Sequence, residues 1–159
     1  MAEVDRRQGA LGLLLAAAGF ASATGSLSDN SFLTHLATGR LILESGFPYG
    51  DPYTFTSAGD RWPVQSWFAS VLYAGAEALG GLGLTRVLVG LVTAAALYVC
   101  WLLTKPASSS IGRVLAVAPV AVMATAGWTH RPYVFAFLAL GLLVLATEQR
   151  LAPWWLLPV

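Results

Sequence analysis

The stretch Leu82–Thr104, LGLTRVLVGLVTAAALYVCWLLT, decides the fold. It carries one charge, Arg86, near an end from which the side chain can snorkel to lipid headgroups. At about 1.5 Å per residue a helix of this length crosses a hydrocarbon layer of roughly 30 Å. The whole chain matches it in character. Its 159 residues are 57% hydrophobic and only 11% charged, with a mean hydropathy of +0.67. That is too apolar and charge-poor for an ordinary soluble domain and predicts an integral membrane protein. The formal net charge of +1, with no basic run, argues against nucleic acid as a partner. The single cysteine, Cys100, excludes an intrachain disulfide and lies in the apolar stretch, where packing is its expected role.

Outward from that helix, Lys105–Arg113 holds two positive charges and no negative one, as cytoplasmic loops do. Val114 onward forms a returning span, Thr129-His130-Arg131-Pro132 a tight exterior turn, and Tyr133–Thr147 a further span ending at the inner loop Glu148-Gln149-Arg150. The closing LAPWWLLPV, 151–159, begins like a fifth span with an interfacial Trp154-Trp155 pair and then stops, so the chain reads as truncated. Arg6 and Arg7 precede a first apolar run and predict a cytoplasmic N-terminus. A cleavable signal peptide competes, because Ala21-Ser22-Ala23 has the small-x-small form of a cleavage site. Glu3 and Asp5 dilute its positive region and further spans follow, which favours an uncleaved helix.

These readings combine into an all-α polytopic transmembrane bundle. One module, 1–159, has spans near 9–26, 82–104, 114–129 and 132–147, and an exterior loop at 27–81 with interfacial amphipathic helices. The expected location is the cell membrane, multi-pass.

The exterior loop holds Asp29, His35, Arg40, Glu44, Asp51, Asp60 and Arg61. Ser31–Ser45 has helical spacing, with Phe32, Leu33, Leu36 and Leu43 on one side and Ser31, Thr34, His35 and Thr38 on the other. Such a helix is too short and too polar to cross, so it is expected to lie in the interface, ended by Gly46 and Pro48. Turn signals at Gly50-Asp51-Pro52 and Ala58-Gly59-Asp60 flank Tyr53–Thr56, a short extended piece. Trp62 and Trp67 mark the return to headgroup level, and Val64–Ala78 is a second interfacial or partly embedded helix that stops at Gly80-Gly81.

Asp29 is the first candidate for chemistry. It is either one of three possible N-caps, Asp29-Asn30-Ser31, or a general base beside a membrane-embedded substrate. His35 lies about one turn further on, either as a hydrogen-bonded structural residue or as a lining group of the same cavity; without a second His or Cys nearby the metal-ligand case is weak. Asp51, in Asp-Pro, is a turn opener or a second acid able to hold a divalent ion or a sugar hydroxyl. Arg40 and Glu44 pair at i,i+4. His130-Arg131 is the other charged feature of the outer face, where the guanidinium suits a phosphate through bidentate hydrogen bonds or anchors on lipid phosphates. No Gly-rich phosphate loop, metal-ligand cluster or G-x-S-x-G nucleophile motif occurs, so soluble-enzyme chemistries find no support.

The run Asp29–Leu43, then Gly46-Phe47-Pro48, Asp51-Pro52-Tyr53-Thr54-Phe55-Thr56 and Trp62–Trp67, resembles the first exterior loop of bacterial GT-C-like membrane glycosyltransferases. The similarity is greatest to uncharacterised actinobacterial members, related in layout to protein O-mannosyltransferases and lipid-linked-sugar transferases. It is specific over about 40 residues of loop and otherwise covers the chain in topology, as the N-terminal portion of a longer family layout. It implies transfer of a sugar from a polyprenyl-phosphate donor to an exterior acceptor with inversion. Asp29 would be the base, Arg131 would lie near the donor phosphate, and His35, Asp51 and His130 would contact substrate. Where many members carry a second acid shortly after the first, this chain has Ser31, so a divalent metal lacks its paired-carboxylate motif. The rival reading is a non-catalytic membrane subunit whose exterior loop binds a partner protein or lipid. A transporter or channel ranks third, because no span carries a charge near its middle.

Overall fold

The computed structural model describes residues 2–25, 29–107, 109–127 and 130–149, with side chains from 6 to 123 and from 130 onward within those ranges. The expected fifth span at 151–159, with Trp154 and Trp155, lies outside them. Among the described residues the chain is all-α: α1 (Ala2–Ala23), α2 (Phe32–Ser45), α3 (Trp67–Leu103), α4 (Ser110–Gly127) and α5 (Tyr133–Glu148). Among the described residues one helix, α3, is long and apolar enough to cross a membrane, by length and composition, while Ser110–Met123 and Tyr133–Glu148 are shorter apolar helices.

The expected stop at Gly80-Gly81 is present as a sharp kink. Gly81 adopts φ 67°, ψ −169° and Gly80 φ −151°, ψ 21°, so α3 consists of two arms. The Gly81 conformation is open essentially to glycine alone. The first arm packs on α2 and the second on α1. α5 lies across both, with Phe135 against Phe68 and Tyr73 and Gly141 against Val99. α4 makes the slightest contacts, through α1 and α3.

Helix boundaries follow local chemistry. Gly46, at φ 83°, returns its N–H to the Ile42 carbonyl and ends α2. Ser109 accepts the Gly112 N–H on its hydroxyl at 3.0 Å, which starts α4 four residues before the apolar run expected from Val114. α1 begins at Ala2, so the polar leader continues the helix rather than preceding it. Tyr53–Thr56 is not extended; the pairing in this loop is instead a single antiparallel bridge, Gly50 with Arg61, backed by Trp62 N–H to Tyr49 O at 3.0 Å.

The rotation of α2 also differs from the expected apolar side. Phe32, Leu36, Thr38 and Gly39 are buried, whereas Leu33 and Leu43 are exposed. The cause is the crossing at Gly39. A Cβ there would lie 1.9 Å from the Ser70 carbonyl oxygen and 2.9 Å from the Ala74 side chain, so only glycine allows the two backbones to meet. The main buried cluster forms beside this crossing from Ala23, Phe32, Leu36, Ala69, Tyr73, Ala74 and Val89, with Leu88 and Phe135 against it. Phe32, Tyr73 and Phe135 continue it as tilted ring pairs at 5.5 and 5.8 Å.

Candidate functional site

Asp29 lies between α1 and α2, and its side chain is only 1% exposed. One carboxylate oxygen accepts the Ser31 N–H at 2.7 Å and the Ser31 hydroxyl at 2.5 Å. The other accepts the Nε–H of Arg131, 102 residues further along, in an ion pair. Ser31 occupies the N-cap position of α2 but makes no side-chain cap bond, because its hydroxyl is turned back to Asp29. The carboxylate thus holds a turn one step ahead of the helix and faces the positive end of the α2 dipole.

Arg131 is 53% exposed. Its Nε is held by Asp29, and that bond raises its pKa above the usual arginine value. The Nη groups on the other side of the guanidinium provide a fork suited to a phosphate or carboxylate. His130, the preceding residue, is turned inward and 1% exposed. Its ring packs edge-on against Phe32 at 5.6 Å, and its backbone carbonyl accepts the Tyr73 hydroxyl at 3.2 Å. Among the described residues neither ring nitrogen has a hydrogen-bond partner, nor does the buried Nε of Arg86. Burial, then the Arg86 charge, lower the His130 pKa against the opposing pull of Asp29. The imidazole is therefore neutral at pH 7.

His35 lies on α2 with Nδ1 3.2 Å from the Ser70 hydroxyl. Its burial lowers its pKa, partly offset by the charge of Asp29. An Asp-His-Ser order invites a nucleophile reading, but Ser70 is fully buried and its hydroxyl also donates to the Ser66 carbonyl at 3.2 Å. The serine supports the α2 crossing. Asp51 is committed to its own turn: one oxygen accepts the Tyr53 N–H at 2.8 Å and the Thr54 N–H at 3.2 Å, the other the Thr54 hydroxyl at 2.5 Å. The hydroxyl bond first, then the Tyr53 amide, hold its pKa below the usual carboxylate range. Among the described residues no group of three or more His, Cys, Asp or Glu side chains is placed to hold a metal.

The fold thus brings Asp29, Arg131 and His130 together at one end of the helices, with His35 within electrostatic reach of Asp29. The Thr38 hydroxyl donates to the Thr34 carbonyl at 2.7 Å, so Tyr53, 2.9 Å away, is the donor that ties the Asp51 loop to α2. Sequence reasoning missed Ser70, Tyr73 and Glu77, which contact the site or support α2. A signal was present: their spacing of three and four along an apolar helix marks one polar stripe, and it faces α2. Arg40 accordingly pairs with Glu77 rather than with Glu44, which adds only a small further charge effect. Comparisons of the chain with family models, with curated proteins and with solved structures return no match.

Proposed function

We propose that the chain is a multi-pass membrane protein with its N-terminus in the cytoplasm and a GT-C-like glycosyltransferase site at its exterior face. The exposed leucines and other apolar side chains on α1, α3, α4 and α5, such as Leu13, Leu14, Leu91, Leu115, Val122 and Leu140, support a lipid surround. The observation that carries the site assignment is the buried carboxylate of Asp29 paired with the half-exposed Arg131.

In the proposed reaction an acceptor hydroxyl attacks the anomeric carbon of a sugar on polyprenyl phosphate. The bond from that carbon to the phosphate oxygen breaks with inversion, the acceptor proton passes to Asp29, and the polyprenyl phosphate leaves. Arg131 would exchange its single bond to Asp29 for a forked pair on the donor phosphate. That movement releases from its ion pair with Arg131 the carboxylate that takes the proton, so donor binding and base activation are coupled.

The test is sugar transfer in membranes, measured for wild type and Asp29→Asn with expression and melting temperature followed in parallel. The expected result is a loss of about 10²–10⁴-fold in turnover, the scale of general base catalysis. Full activity of the variant would remove the base role. A second reading, a non-catalytic membrane subunit, is favoured by the fact that both Asp29 oxygens already accept hydrogen bonds from Ser31 and Arg131. Transfer by the isolated chain would exclude that reading, and copurification of a larger catalytic subunit would support it.

A further inference from the structure

A cleft of about 400 Å³ lies at the base of the loop hairpin, lined by Phe47, Pro48, Tyr49, Arg61, Trp62, Pro63 and Val64. Its volume falls in the range of small-molecule sites, roughly 300–1,000 Å³. The walls are fixed from several sides. Trp62 donates its N–H to the Tyr49 carbonyl at 3.0 Å, and its ring meets Tyr53 edge-to-face at 5.3 Å. Phe47 meets Trp67 in the same manner at 5.5 Å. Tyr49 is nonetheless 85% exposed, a large ring left open in a held position.

The lining chemistry is selective. Aromatic and proline rings offer flat apolar faces. The side-chain polar groups, the Arg61 guanidinium, the Tyr49 hydroxyl and the Trp62 indole N–H, are all able to donate. Among the described residues no ion pair engages Arg61. The complement is therefore a ring with an apolar face, acceptor oxygens and a negative charge. A peptide strand fits less well: Pro48 and Pro63 have no N–H, and that of Trp62 is already used, so few backbone donors remain for its carbonyls.

We propose that this cleft, beyond the end of α2 opposite to Asp29, binds an acidic sugar, a pyranose ring carrying a carboxylate or phosphate. The ring stacks on Tyr49 and Trp62, and Arg61 takes the anionic group.

The experiment is calorimetric titration of the full chain in lipid nanodiscs with a soluble trigalacturonate and, separately, with neutral maltotriose. The expected result is saturable uronate binding, with maltotriose at least about tenfold weaker, as loss of a charge-assisted contact predicts. Arg61→Gln should weaken uronate binding by about tenfold, the loss of one such contact. Tyr49→Ser, at a position too exposed to disturb folding, should weaken it by about fivefold through lost stacking. If Asp29→Asn retains full transfer while uronate binding follows Arg61, the base assignment falls and the cleft stands. The cleft proposal is overturned if wild type does not bind uronate, or if Arg61→Gln binds it equally well. It is also overturned if Arg61 acts only in flotation with phosphatidylglycerol vesicles, which would make the cleft a headgroup anchor.

Discussion

Polar groups from α1, α3 and α4 meet near Trp101, and others from α2, α3 and the segments that lead into α2 and α5 meet near Asp29, yet the two sets are bonded very differently. Near Trp101, Arg113 is buried and gives its Nε to the Thr104 hydroxyl, one Nη to the Gln8 side chain and the other to the Trp101 carbonyl, at 3.0, 2.9 and 2.7 Å. Its guanidinium also stacks over the Trp101 ring at 4.1 Å. The indole donates to the Gln8 carbonyl and the Gln8 amide to Ser110, so the network closes on itself. Near Asp29, by contrast, both His130 nitrogens and the Arg86 Nε are buried without a partner among the described residues. Each such atom costs about 1–3 kcal/mol. One end is bonded to hold helices together; the other retains donors and acceptors that the fold itself does not use.

Substitutions can break this contrast. Arg113→Met should have the largest effect, about 4 kcal/mol of lost stability, because it leaves several buried acceptors unpaired. Denaturation of the purified protein would measure it, and a loss below about 1 kcal/mol would show that the network is not holding α4. Gly39→Val should cost about 3 kcal/mol, since the new side chain meets the Ser70 backbone rather than a movable side chain. The effect should be confined to α2, visible as faster hydrogen exchange there than in α1.

His130→Leu should run the other way and be neutral or stabilising by about 1 kcal/mol, because it removes two unpartnered nitrogens and keeps the packing on Phe32. A clear destabilisation would mean that the imidazole makes a bond of its own. The smallest effect is in pH. His35 and His130 both have pKa values lowered in the folded state, so the unfolded chain takes up protons first as pH falls below 6.5, the ordinary histidine value. Stability should be complete above 6.5 and decline below it. The melting temperature of His130→Leu should decline less over the same range.

Local features were legible in the sequence. The helix over α2, its end at Gly46, the break at Gly80-Gly81 and the turn role open to Asp51 all depend on neighbours a few residues apart. What escaped depends on which helices meet. Arg131 reaches Asp29 across 102 residues, and Arg40 passes over nearby Glu44 for Glu77. Arg113 reads as a loop charge but is drawn inward, because Gln8, at the far end of the chain, completes its hydrogen bonds. The turning inward of His130 likewise depends on Phe32 and Tyr73, and no periodicity within its own segment encodes them.

The glycine pair in α3 also acts as a ruler. An unbroken helix of 37 residues would extend about 55 Å, far more than a hydrocarbon layer of roughly 30 Å. Setting the break at Gly81 leaves a second arm of about 33 Å at the usual rise per residue, and gives the first arm a direction of its own. Exchanging that glycine pair with the residues one turn away would change the length of the second arm by about 5 Å while leaving the composition of the chain as it is. Chain composition and the length of the straight apolar arm are therefore set by different residues in this protein.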